Sequence, residues 1–463
     1  VTFRGQDGSR ALYQFRRLSG TRFAQKAAAR LALPWVALPQ VALLATLPYR
    51  EGMQSDRRYD VAIAGGGFAG RTLALALAWL APKGFRIALI DAEAPQAEAP
   101  RDARALALSG ASKSLLAVLE LWPALASNAQ AIESIEITDS PLNAVLRPYF
   151  LGFDDEFKTG EPGAYMVEAG DLARVLAAAV ADERAVDVYA PNTVADYSSD
   201  GFGIALRLGS GGAIEARLLV AADGKRSRLR ERAGIKCVGW SYPQLGIVTT
   251  VAHAKPHHGR AVQHFLPAGP FAILPLKGNR SSIVWTESAA QGETIMAASE
   301  ADFAAELGKR FGHRLGEITL AGPRQSFPLD LQIARAFVAD RLALVGEAAH
   351  VVHPLAGQGL NIGMRDVAAL TEIIVESARL GLDIGAAPSL ERYERWRRFD
   401  SAFSAVVMDG LNRLFSNDST PLRALRDLGL GLVERVPGLK RFLVREAAGA
   451  TGNVPRLLRG ERL

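Results

Sequence analysis

A hydrophobic strand that ends in a glycine turn and leads directly into a helix limits this chain more than any other feature. Tyr59 to Ala64 is apolar enough for a buried strand, Gly65-Gly66-Gly67-Phe68-Ala69-Gly70 follows it, and a helical pattern runs from about Ala69 to Leu80. A second strand, Arg86 to Ile90, ends on Asp91. Strand, turn, helix and strand make a βαβ unit, and a GxGxxG in that setting is a dinucleotide-binding turn. Glycine is needed because the backbone must come close to a pyrophosphate and present amides at a helix N-terminus, where the dipole favours negative charge. Gly65, Gly67 and Gly70 take those positions, and Asp91 is placed to accept a hydrogen bond from an adenosine ribose. The turn does not by itself separate FAD from NAD.

Two further motifs follow. Ala221-Ala222-Asp223-Gly224-Lys225-Arg226-Ser227-Arg228-Leu229-Arg230 is a strand end running into a basic turn, which standing alone reads as an Asp-Gly turn with solvated charges. Gly346-Glu347-Ala348-Ala349-His350-Val351-Val352-His353-Pro354-Leu355-Ala356-Gly357-Gln358-Gly359-Leu360-Asn361-Ile362-Gly363-Met364-Arg365-Asp366 is longer and the most specific feature of the sequence.

With the three motifs in this order, the chain resembles the group A FAD-dependent aromatic monooxygenases from about residue 58 onward. The HPLAGQGLNIG run resembles their ubiquinone-biosynthesis hydroxylase branch. The resemblance implies FAD contacts for Gly346, Glu347, Pro354, Gly357, Gln358, Gly359, Leu360 and Asn361, and places Asp223 and Gly224 near the pyrophosphate and the nicotinamide path. It also implies FAD contact for Arg104 and a place near the adenosine for Glu168. The family usually has Asp where this chain has Glu347, an extra methylene that the ribityl contact must absorb. NAD(P)H is implied as a transient cosubstrate: it reduces FAD, O2 adds at C4a, and the hydroperoxide oxygen is attacked by a phenol ring. That chemistry belongs to the cofactor, so no catalytic side chain is assigned.

The expected fold is α/β: a Rossmann-like FAD-binding domain like that of p-hydroxybenzoate hydroxylase, an inserted β-rich substrate domain and a helical C-terminal region. The FAD-binding part is expected over 58–130, 163–235 and 325–385, the substrate part over 131–162 and 236–324, and the helical region over 386–463. Glycine turns at Ser210-Gly211-Gly212 and Gly278-Asn279 predict hairpins, and helices are expected near Ala111 to Leu121 and Gly170 to Ala181.

Cys237 is the single cysteine, which excludes an internal disulfide and CxxC chemistry. None of the seven histidines shows the i, i+4 pair with an acid of a zinc helix, so no metal is expected, and His350 and His353 are read as structural. The net charge of +6 resides in the first 52 residues, where Arg4, Arg10, Arg16, Arg17, Arg22, Lys26, Arg30 and Arg50 face only Asp7 and Glu51. This argues against a nucleic-acid partner for the rest of the chain. Residues 1–57 are expected to lie outside the folded enzyme, with Met53 as the favoured start and a mitochondrial presequence as the rival.

Residues 421–443 alternate leucines and valines with arginines and suit either a membrane surface or a packed helix, and a polyprenylated phenol substrate favours the membrane. The expected location is cytoplasmic and peripheral on the inner membrane face, or the mitochondrial matrix face if the leader is a presequence. Expected partners are the phenol, O2 and proteins of a ubiquinone-biosynthesis complex. Two other readings stay open: a hydroxylase of a small soluble aromatic acid, and a catalytically idle flavoprotein scaffold.

Overall fold

The computed structural model describes residues 58–94, 104–139, 151–152, 162–353, 357–415 and 453–463. The expectations for the leader, for Pro354 and for 421–443 fall outside them.

The opening unit forms as the sequence predicts: β1 (Arg58–Ala64), α1 (Phe68–Leu80) and β2 (Ile87–Ile90). They build a sheet in which Leu342–Leu344, Ala213–Ala221, β1, β2 and Val186–Tyr189 run parallel in that order. All four side chains of β2 are buried, as are all three of Leu342–Leu344, which is why these strands read as unbroken apolar runs. Helix Gln358–Arg379 packs against α1. The Ser210-Gly211-Gly212 turn joins Ile204–Leu208 to Ala213–Ala221 as an antiparallel hairpin.

A second, mostly antiparallel sheet runs in the order His350–Val351, Gln325–Ala334, Cys237–His253, Arg280–Ser288, Gly269–Leu276, Arg260–Leu266, Ser134–Asp139 and Leu151–Gly152. Its two central strands meet at the Gly278-Asn279 turn. One face packs on helices Ala289–Ala297 and Glu300–Phe311, with Ile247, Phe271 and Trp285 against Ile295, Phe303 and Leu307. Within that core Arg310 pairs with Glu287 at 3.1 Å and lies over the Trp285 ring, so the buried cation has both a counter-charge and a π-face.

Two details differ from the sequence reading. Gln325–Ala334 pairs with Cys237–His253 and so belongs to the second sheet, whereas 325–385 was expected to go with the first. The helix expected to reach Leu121 stops at Val118, because Glu120 takes a positive φ of 51° and Trp122-Pro123 starts a new short helix. The long helix Ala387–Phe415 lies in the region expected to be helical, and the chain end returns to the body: Leu457 and Leu458 are buried in the core of the first sheet.

Candidate functional site

The three motifs come together because each lies at the end of a parallel strand of the first sheet. Ala222 N donates to Ala64 O and Val345 N to Ala221 O, which brings the three turns side by side. The guanidinium of Arg230 then ties the second to the third, donating to Ala348 O at 3.0 Å and to Lys225 O at 3.1 Å. The turns open on one cleft of about 1660 Å3.

Gly65, Gly67, Asp91, Arg104, Asp223, Gly224, Gly346, Glu347, Gly359 and Leu360 all line that cleft. Gly70 lies just beneath it, where a Cβ would overlap Gly65 O. Gly357 has φ 63° and caps the helix whose first turn carries Gly359 and Leu360 to the cleft wall, with Gln358 as its first residue. Asn361 faces elsewhere: its Oδ1 accepts from Ser109 N and Ser112 Oγ, and its Nδ2 donates to Ala107 O. Glu168 is not in the lining, and its carboxylate pairs with Arg280 of the second sheet at 2.8 Å.

Several lining residues carried no signal in the sequence. Gln325 and Phe327 reach the cleft from the second sheet, and the Arg104 guanidinium lies 5.6 Å from the Phe327 ring centre. Arg71 also lines it and holds Asp91 at 3.2 Å. Only an Arg one turn into α1, opposite the acid that ends β2, could have suggested that pair.

The donor set suits a flavin dinucleotide. A Cβ at Gly67 would meet nothing within 4 Å, so this turn leaves open the space that a pyrophosphate needs. Asp223 Oδ1 is buried without a hydrogen-bond partner among the described residues, an acceptor that a ligand hydroxyl would satisfy. Glu347 is exposed on the cleft wall, so its longer side chain has room to turn toward a ribityl chain. Among the described residues no group of three or more His, Cys, Asp or Glu is arranged to hold a metal ion.

Behind the third motif, Asp366 is fully buried and accepts from Gly346 N at 3.0 Å, His350 Nε2 at 2.5 Å and Arg397 Nε at 2.8 Å. Burial alone would raise its carboxyl, but the charges and hydrogen bonds of His350 and Arg397 outweigh that and hold it below the ordinary carboxylate range. His353 is also fully buried, its ring edge-on to Tyr242 at 5.3 Å. Burial lowers its pKa to about 4, with the charge of Asp409 opposing.

The folded protein holds His353 neutral in a range where the unfolded chain takes up a proton, so its share of stability is whole above about pH 6.5 and drains as pH falls toward 4. Urea denaturation should show about 2 kcal/mol less stability at pH 5 than at pH 7 from this residue. A His353→Gln protein that keeps the full slope would refute it.

The chain matches the FAD binding domain family over residues 58–398. It is 44% identical over 411 residues to the ubiquinone hydroxylase UbiL of Rhodospirillum rubrum, covering 88% of this chain and 94% of that protein. It is 36% identical over 397 residues to the 3-demethoxyubiquinol 3-hydroxylase of Escherichia coli, covering 84% and 98%. Its fold matches p-nitrophenol 4-monooxygenase PnpA of Pseudomonas putida with a TM-score of 0.70 at 18% identity, over 86% of this chain and 99% of that one. The strand-end turns, their shared cleft and these matches agree: the chain belongs to the FAD binding domain family, in the branch that holds the ubiquinone hydroxylases.

Proposed function

We propose that this protein is an FAD-dependent monooxygenase that hydroxylates the ring of a polyprenylated phenol in ubiquinone biosynthesis, using NAD(P)H and O2. The observation that carries the reading is the single cleft on which all three motifs open, in a chain this similar to named ubiquinone hydroxylases. Residues 58–130, 163–235 and about 335–385 hold the cofactor, and the second sheet supplies the substrate wall.

Bound FAD supplies the redox chemistry and the activation of oxygen. The chain's residues position and shield it. Gly65 and Gly67 would let the backbone approach its pyrophosphate, Asp91 would take the ribose, and Glu347 and Asp223 would take hydroxyls along the linker. Free amides in the first turn of helix Gln358–Arg379 would stabilise negative charge on a group bound at that end of the cleft. Leu106, Phe327 and Leu360 give the cleft apolar walls that exclude water from the reacting ring.

A hydroxylase of a small aromatic acid needs a fixed cation for the carboxylate; among the described residues the second-sheet members of the lining, Gln325 and Phe327, are uncharged, and the Arg104 guanidinium beside Phe327 is the group such an acid would have to use. We place the protein peripherally on the inner membrane face, with 421–443 as one contact. No helix among the described residues is long and apolar enough to cross a membrane.

Purified, FAD-loaded protein should oxidise NAD(P)H faster when a polyprenylated phenol is added and return a product one oxygen heavier. It should also rescue a strain blocked at one ubiquinone ring hydroxylation. Stimulation by a soluble benzoate and not by the prenylated phenol would sink the proposal, and so would bound FAD with no NAD(P)H oxidation.

A further inference from the structure

Helix Ala387–Phe415 has two unlike faces. Tyr393, Arg397, Ser401 and Ala405 form one stripe at i, i+4 spacing, and each is at most 2% exposed. On the opposite side Phe399, Phe403 and Val406 are 79%, 45% and 69% exposed, and the two phenylalanine rings stack at 6.4 Å. Isolated exposed apolar residues need no explanation, but three on one stripe of one helix do.

The charges around this stripe are mostly basic. Arg395 shares its face, Arg398 flanks it, and both are exposed. Of the acids on the same helix only Glu391 is exposed, whereas Glu394 accepts from Phe337 N, Asp400 holds Arg365 and Arg397, and Asp409 accepts from Tyr242 Oη. Toward the C-terminal end Arg413 lies over the half-exposed ring of Trp240, which continues the apolar surface onto the second sheet.

We propose that this face of the helix docks on an anionic bilayer surface. Stacked aromatics flanked by exposed arginines, which outnumber the one exposed acid of the helix, Glu391, match what an interfacial helix presents to charged lipid headgroups. The site serves the prenylated substrate and rests on that reading. The buried face of the helix holds Asp366 through Arg397, so the docking element is anchored to the turn that lines the cleft.

The test is flotation of the full-length, FAD-loaded protein with phosphatidylcholine vesicles, with and without phosphatidylglycerol. Binding should need the anionic lipid. Phe399→Ser with Phe403→Ser should weaken it by about tenfold or more, and Arg395→Glu with Arg398→Glu by a similar factor. Both variants should keep flavin content and turnover of a short-chain phenol dispersed in detergent. Unchanged flotation of both variants overturns the proposal, as does a wild-type dimer that the phenylalanine changes split into monomers. Anionic-lipid binding lost in the variants, together with no hydroxylation by the wild type, would leave the docking surface standing and remove the proposed reaction.

Discussion

A Gly67→Val protein is expected to fold like the wild type and to purify largely stripped of FAD. Gly67 has an ordinary φ of −72° and caps α1 with no side-chain hydrogen bond, so a valine there is neither strained nor the loss of a capping group. Its Cβ would meet nothing within 4 Å, and the new methyl groups would project into the space reserved for the pyrophosphate. Filling a close-packed ligand contact by this much costs about 1–3 kcal/mol, or roughly tenfold to hundredfold in FAD affinity. The neighbouring glycines would not give so clean a result. Gly65 has φ 117° and a Cβ there would overlap Ala222 O, and at Gly70 it would overlap Gly65 O, so substitutions at either position damage the turn itself. Flavin absorbance per mole of protein, set beside the melting curve of the apoprotein, separates the two effects. A fully yellow Gly67→Val protein would defeat the assignment of the first motif to pyrophosphate.

What the sequence made legible was local. Glycines with special backbone demands, apolar runs long enough for buried strands and turn residues at hairpin tips each act within a few residues, so the βαβ opening and both hairpins could be read directly. The three motif turns lie at strand ends and were legible for the same reason. What was missed depends on contacts between distant segments. Phe327 and Gln325 look like ordinary strand residues until the second sheet is set beside the first, and only then do they reach the cleft. Glu168 ends a strand near the cleft, yet Arg280, more than a hundred residues on, takes its carboxylate. Asn361 sits inside the third motif, but its amide goes to the Ala107–Ser112 segment, and no spacing rule relates the two. The hydrogen bonds that engage Glu394, Asp400 and Asp409 of helix Ala387–Phe415 were hidden too, because alternating charge normally signals a solvated face.

Asp366→Ala is expected to be the most destabilising single change near the site. It removes a fully buried carboxylate and leaves the Gly346 amide, His350 Nε2 and the buried Arg397 guanidinium without that acceptor. Breaking a buried pair by deleting one partner typically costs about 3–5 kcal/mol. Arg397 also pairs with Asp400, which keeps part of its charge compensated and points to the lower end of that range. The melting temperature should fall by roughly 3–6 °C. Flavin retention should fall with it, since Gly346, held at φ 60°, loses the bond that fixes its turn. The pH dependence separates this effect from that of His353. A carboxyl held below the ordinary range contributes stability throughout neutral and mildly acid conditions and loses it only as pH falls through its depressed pKa. The penalty for Asp366→Ala should therefore be the same at pH 5 and pH 7, where the His353 contribution changes. Asp366→Asn then divides the cause: it keeps an acceptor without the charge. If it recovers most of the lost stability, hydrogen bonding to Gly346 and His350 dominates. If it melts as low as the alanine variant, the charge opposite Arg397 dominates, and a wild-type melting curve with full flavin in both variants would rule out a structural role for the network.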